Sequence, residues 1–177
     1  MDINSHQSST SRSALSSGVS AHIWFPYDEK LSINATDWAR FEKEERQLEY
    51  KLMPHGTNCF TKLTDINVKL ILLCHGCEDN ELKTDKQVKQ VMKNQLIEYT
   101  SKSDTNTKPN KTYLNPEQMA LFLENNGLNK NHRIIEMASC FSNFYAKGLQ
   151  EAMAKKGFCR KSLKMLFYLS YICPGRN

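Results

Sequence analysis

The sequence predicts an α/β domain of three layers, a mostly parallel central sheet with helices on both faces. Three observations predict it. Three short, largely apolar runs, Val68–Cys74, Arg133–Ser139 and Lys164–Cys173, have the character of strands covered on both sides. Segments of helical periodicity separate them, which gives the alternation typical of parallel sheets. The length of 177 residues, with 40% apolar and 24% charged residues, suits one compact domain with a substantial core.

Residues 1–20 hold eight serines and one acid, too little apolar surface to fold, so this leader is expected to be disordered and residues 21–177 to form the domain. Ala21–Phe25 reads as a first strand, ended by Pro26. Thr36–Met53 reads as a helix capped by Thr36 or Asp37, with Trp38, Phe41, Leu48 and Leu52 roughly on one face and Pro54, His55 and Gly56 closing it. Val68–Cys74 is the next strand. Thr84–Thr100 reads as a second helix with Val88, Val91, Met92, Leu96 and Tyr99 on one side, and Ser101–Tyr113 as a polar loop. Asn115–Gly127 carries Asn as cap, Pro at the first helical position and Gly at the end. Arg133–Ser139 is a strand, Ser142–Gly157 a helix capped by Ser142 or Asn143, and Lys164–Cys173 the last core strand.

The net charge of +5 is uneven, because residues 128–177 hold nine Lys/Arg against two acids. Lys155, Lys156, Arg160, Lys161 and Lys164 form the densest part. Such a cluster suits a polyphosphate, an acidic surface or nucleic acid, or is simply a solvated helix face. No interleaved aromatic pattern accompanies it, so a nucleic-acid partner is not expected. No membrane span is expected either, since the longest apolar run, Met165–Cys173, falls well short of the roughly 20 residues a span needs. The leader lacks the apolar core of a secretory signal. Six cysteines are too few for a disulfide scaffold in a chain of this length, which points to a reducing, cytosolic working environment.

The chemistry concentrates in Asn67–Asn80, "NVKLILLCHGCEDN", where a strand delivers Cys74, His75, Gly76 and Cys77 to one point. A thioredoxin-like reading pairs Cys74 with Cys77, but the following helix starts late and no tryptophan precedes the pair. A zinc reading needs four ligands, and no second Cys/His pair follows, so no metal is expected. A hydrolase reading needs only His75 past one parallel strand and a thiol past its neighbour. "IIEMASCFSN" supplies that thiol, Cys140, before a helix N-terminus that favours an anionic sulfur.

The two strand ends, "KLILLCHG" and "MALFLENNGLNKNHRIIEMASCFS", resemble the paired His-Gly and Cys motifs of the clan CD (caspase-like) cysteine peptidases. They are most similar to the self-cleaving peptidase domains of RTX and large clostridial toxins and related bacterial effectors. The resemblance spans roughly Val68–Phe144 and implies a caspase-like sheet. It makes Cys140 the nucleophile, His75 the general base and acid, and the backbone N–H groups of Gly76 and Cys140 the oxyanion hole. The separation of 65 positions between His75 and Cys140 is somewhat long for the pattern, with the Ser101–Tyr113 loop accounting for the excess, and Cys140 follows Ala138-Ser139 where many relatives have a small residue directly before the Cys.

The toxin domains continue into a β-rich flap that binds inositol hexakisphosphate, for which Lys155, Lys156, Arg160, Lys161 and Lys164 are the polyphosphate candidates. Only 37 residues follow Cys140, room for little of such a flap, so no cofactor is expected to be required and inositol hexakisphosphate stays a candidate only. The resemblance and the Ser-rich leader, which is similar to type III secretion leaders, imply a bacterial effector or toxin-type protease acting in a host cytosol on a protein or peptide, its own chain included. Two alternatives stand beside it: a non-catalytic interaction domain of the same fold with a basic C-terminal face, and an oxidoreductase using Cys74 and Cys77.

Overall fold

The computed structural model describes residues 18–75, 84, 86, 96–101, 110–139, 142–158 and 164–167. Five parallel strands form the main sheet: β1 (Ala21–Phe25), β2 (Tyr50–Pro54), β3 (Lys69–Leu73), β6 (Ile134–Ala138) and β7 (Lys164–Phe167), in the order β2-β1-β3-β6-β7. A separate antiparallel pair, β4 (Ile97–Ser101) and β5 (Asn110–Leu114), forms a hairpin. The described helices are α1 (Glu29–Arg46), α2 (Pro116–Asn125) and α3 (Ser142–Lys155), with a 3₁₀ turn at Cys59–Lys62.

Alternation along the strands sorts the apolar side chains onto two faces. Ala21, Ile23 and Phe25 of β1 and Ile71 and Leu73 of β3 pack with Leu31 and Ala35 of α1. Trp24, Leu70, Leu72, Ile135 and Met137 point the other way, into a larger core with Met119 and Leu123 of α2 and Tyr145, Leu149 and Met153 of α3. The result is a three-layer α/β/α sandwich with a parallel sheet at its centre. Each fully buried Leu, Ile or Met contributes about 1.5–3 kcal/mol by leaving water, so the α2/α3 face carries most of the cohesion.

Helix α1 starts seven residues before the expected Thr36, because Asp28 is its cap: the Asp28 carboxylate accepts the Leu31 N–H at 2.9 Å. It also stops earlier than expected. Gln47 takes the left-handed conformation (φ 57°), its N–H returns to the Glu42 carbonyl, and the chain re-emerges as β2 where the sequence had suggested continued helix to Met53. Within α1, buried Glu42 is held by the Trp38 indole N–H at 3.1 Å and the Arg46 guanidinium at 3.2 Å.

Most of the expected helix over 84–100 lies outside the described residues, but from Ile97 on the chain is strand, not helix. The polar loop expected over Ser101–Tyr113 gives way at Asn110 to β5. Helix α2 keeps its predicted signals: Asn115 and Gln118 form a reciprocal capping box, with Pro116 at the first position. Gly127 then leaves the helix at φ 84°, tight against the Thr61 methyl. Strand β7 begins at Lys164 as expected and its described part ends at Phe167.

Candidate functional site

In a parallel sheet every strand brings its carboxyl end to the same edge, and the loops there carry the chemistry. At this edge β3 leads into Cys74 and His75, β1 leads into Pro26, Tyr27 and Asp28, and β6 leads into Ser139. Strands β3 and β6 are direct neighbours, matched at Leu73 and Ala138, and the Cys74 N–H donates to the Ala138 carbonyl at 3.1 Å. Cys140, the residue after Ser139, lies outside the described residues, as do Gly76 and Cys77.

His75 is partly exposed, its side chain 36% accessible, and Asp28 stands beside it: Nε2 lies 3.4 Å from Asp28 Oδ1. The same oxygen accepts the Leu31 N–H, so the carboxylate is fixed by the start of α1 while it faces the imidazole. The hairpin braces both groups from above. Glu98 N–H donates to the His75 carbonyl at 3.2 Å, and Tyr27 N–H donates to the Thr100 carbonyl at 3.0 Å. Residues 98 and 100 share one side of β4, so a single strand edge holds the backbone at His75 and next to Asp28. With its hydrogen on Nε2 toward Asp28, the ring keeps its Nδ1 lone pair for a partner.

Cys74 behaves differently from its neighbour. It is buried in the α2/α3 core, and that burial pushes its thiol far above the ordinary range. A thioredoxin-like nucleophile needs the opposite shift. The Ser139 hydroxyl is also buried and has no hydrogen-bond partner among the described residues.

The basic cluster is elsewhere. Lys164 pairs with Ile134 at the first residue of β6, and Lys155 and Lys156 end α3, so these three lie at the amino edge of the sheet, opposite His75. Lys156 Nζ is 3.3 Å from Glu124, which Lys130 also grips at 2.8 Å. The hydrogen bonds from Lys130 and then Lys156 hold the Glu124 carboxyl below its usual range. Of the proposed polyphosphate residues, Lys156 is therefore already engaged with a carboxylate. Arg160 and Lys161 lie outside the described residues. Among the described residues no cluster of three or more His, Cys, Asp or Glu could hold a metal ion, and no helix is long and apolar enough to cross a membrane.

Sequence reasoning missed Asp28. The signal was present in "YDEKL", an acid directly before a helical pattern, but it reads as a cap and says nothing of a histidine 47 positions away. It also left His55 without a role. His55 meets the Tyr99 hydroxyl at 3.0 Å and stacks near Phe122, within an aromatic group that includes Trp24 and Phe60. Neither a protein-family model nor a curated protein matches this chain.

Proposed function

We propose that the protein is a thiol-dependent peptidase of caspase-like type, with Cys140 as nucleophile, His75 as general base and acid, and Asp28 as the group that orients His75. The observation that supports it is the pairing of β3 with β6. They are parallel neighbours matched at Leu73 and Ala138, and the residues two positions beyond these are His75 and Cys140. An imidazole backed by a carboxylate at that edge is the partner a thiol needs for acyl transfer.

On this reading His75 Nδ1 takes the proton from the Cys140 thiol, and the sulfur attacks the peptide carbonyl carbon. The oxyanion that forms is met by the backbone N–H groups of Gly76 and Cys140. His75 then gives its proton to the leaving nitrogen as the C–N bond breaks. Water attacks the thioester, passes its proton to His75, and the acid is released with the thiol restored. Asp28 stabilises the imidazolium in both steps without itself gaining a proton. No cofactor enters. The Ser-rich leader extends the proposal to a secreted bacterial effector acting on host protein.

The test is hydrolysis of a mixed fluorogenic peptide library together with labelling by a thiol-directed acylating probe. Cys140→Ala and His75→Ala should each abolish turnover, and Cys74→Ala should retain it. Turnover that survives in Cys140→Ala would overturn the proposal. Intact partner binding without any turnover in the wild-type chain would favour the non-catalytic domain.

A further inference from the structure

Beside Asp28 the structure holds a cleft of about 910 Å³, lined by Phe25, Tyr27, Glu29, Leu52, His55 and Lys111 among others. Its size falls at the upper end of the roughly 300–1,000 Å³ typical of ligand sites. It lies between the carboxyl ends of β1 and β2, the first turn of α1 and the β4–β5 hairpin. Tyr27 and Leu52 are 47% and 38% exposed there, large apolar surfaces left uncovered on the cleft wall. His55, whose basicity is lowered by burial, is occupied with the Tyr99 hydroxyl, and Lys111 is paired with Glu98 at 3.4 Å. Asp28 and Glu29 bring two carboxylates to the lining, and Asp28 is the one that meets His75.

The strand order gives this cleft a direction. Along the edge, the ends of β2 and β1 come first, then His75 after β3, then the end of β6. A peptide cut between a thiol after β6 and an acid at His75 sends its leaving half past His75, toward β1 and β2. We infer that the cleft is the leaving-side subsite. It takes a peptide whose first residue after the cut is large and apolar, seated on Phe25, Tyr27 and Leu52. The new α-ammonium faces Asp28 and Glu29. Charge complementarity selects this occupant: a free amine with an apolar side chain matches a lining that joins Phe25, Tyr27 and Leu52 to the carboxylates of Asp28 and Glu29, with Lys111 already paired to Glu98. The inference rests on the peptidase reading for its direction, and its binding test does not need turnover.

The experiment titrates the Cys140→Ala protein with Phe-Gly-Gly amide, N-acetyl-Phe-Gly-Gly amide and Gly-Gly-Gly amide by calorimetry. The free-amine Phe peptide should bind about tenfold or more tighter than either control. Leu52→Arg should weaken it about tenfold, and Glu29→Gln severalfold for the free-amine peptide alone, with far-ultraviolet dichroism unchanged in both. Equal binding of the three peptides, or binding indifferent to both substitutions, overturns the subsite. The two claims fail separately. Selective binding without Cys140-dependent turnover leaves the subsite and removes the peptidase; turnover with no preference after the cut and no product binding does the reverse.

Discussion

Asp28 serves two partners through one oxygen, the Leu31 N–H at 2.9 Å and the His75 ring at 3.4 Å, and substitutions can separate the two. Asp28→Ser keeps a good helix cap but removes the carboxylate. It should melt within a few degrees of wild type and, if the proposed peptidase reading holds, lower kcat about tenfold or more with KM little changed, still short of the 10²–10⁴ an acid–base group contributes. Asp28→Ala should lose about 1 kcal/mol of stability as well. A kcat equal to wild type in Asp28→Ser would remove Asp28 from the chemistry. At the opposite edge, His132 is 1% exposed, and among the described residues neither ring nitrogen has a partner at full hydrogen-bond geometry. Burial lowers its pKa below 6.5, with His22 adding to the shift and Ile134 and Asp65 opposing it. The unfolded chain therefore takes a proton that the folded one refuses. Stability should be flat above the unfolded value of 6.5 and fall as pH drops below it, by at most about 1.4 kcal/mol per pH unit for this group. His132→Leu should flatten that acid limb in melts taken from pH 8 to 5. The place of His75 at the carboxyl end of an apolar strand was legible in the sequence; Asp28 and His132 were not, because their character comes from neighbours distant in sequence.

At the level of elements, two glycines make a matched pair. Gly127 and Gly157 both follow helices at φ 84°, but a Cβ on Gly127 would strike the Thr61 methyl, whereas on Gly157 its nearest neighbour is Lys130 Nζ at 3.9 Å. Each Gly→Ala change incurs about 1–2 kcal/mol for the left-handed backbone. Gly127→Ala should cost clearly more than Gly157→Ala in urea unfolding, and equal costs would mean that Thr61 yields freely. The elements that were legible are those with punctuation at both ends, such as β1 before Pro26 and α2 between Asn115–Pro116 and Gly127. Strand β2 was not, because Leu48 and Leu52 continue the spacing of α1. The break comes from Gln47 accepting a left-handed backbone, which composition does not announce. Strand β4 was hidden in the same way. Leu96 and Tyr99 extend a helical stripe, while the pairing that makes Ile97–Ser101 a strand is supplied by Asn110–Leu114 across an intervening stretch.

For the whole molecule, chain order and sheet order diverge: β1 sits between β2 and β3, and β7 closes the far side of β6. Residues 21–73 supply three adjacent strands, β2-β1-β3, and the later chain adds β6 and β7 to their β3 side. Deleting residues 164–177 strips the β7 partner from Ile134–Met137 and leaves an unpaired strand edge beside an apolar core. The truncated chain should aggregate on size-exclusion and lose its cooperative melt; a soluble, sharply melting fragment would mean that β7 is dispensable. The match of Leu73 with Ala138 has a further consequence, for how the sequence can change. Sheet register, and not the length of the connecting chain, sets how the ends of β3 and β6 face each other. Residues added at 102–109, between β4 and β5, add a closure cost that grows only by about 0.6 kcal/mol per doubling. One residue added within Leu70–Leu73 would instead turn every later side chain to the other face. Insertions and deletions should accordingly accumulate between the strands and be purged within them, and an engineer placing a reporter tag should follow the same rule.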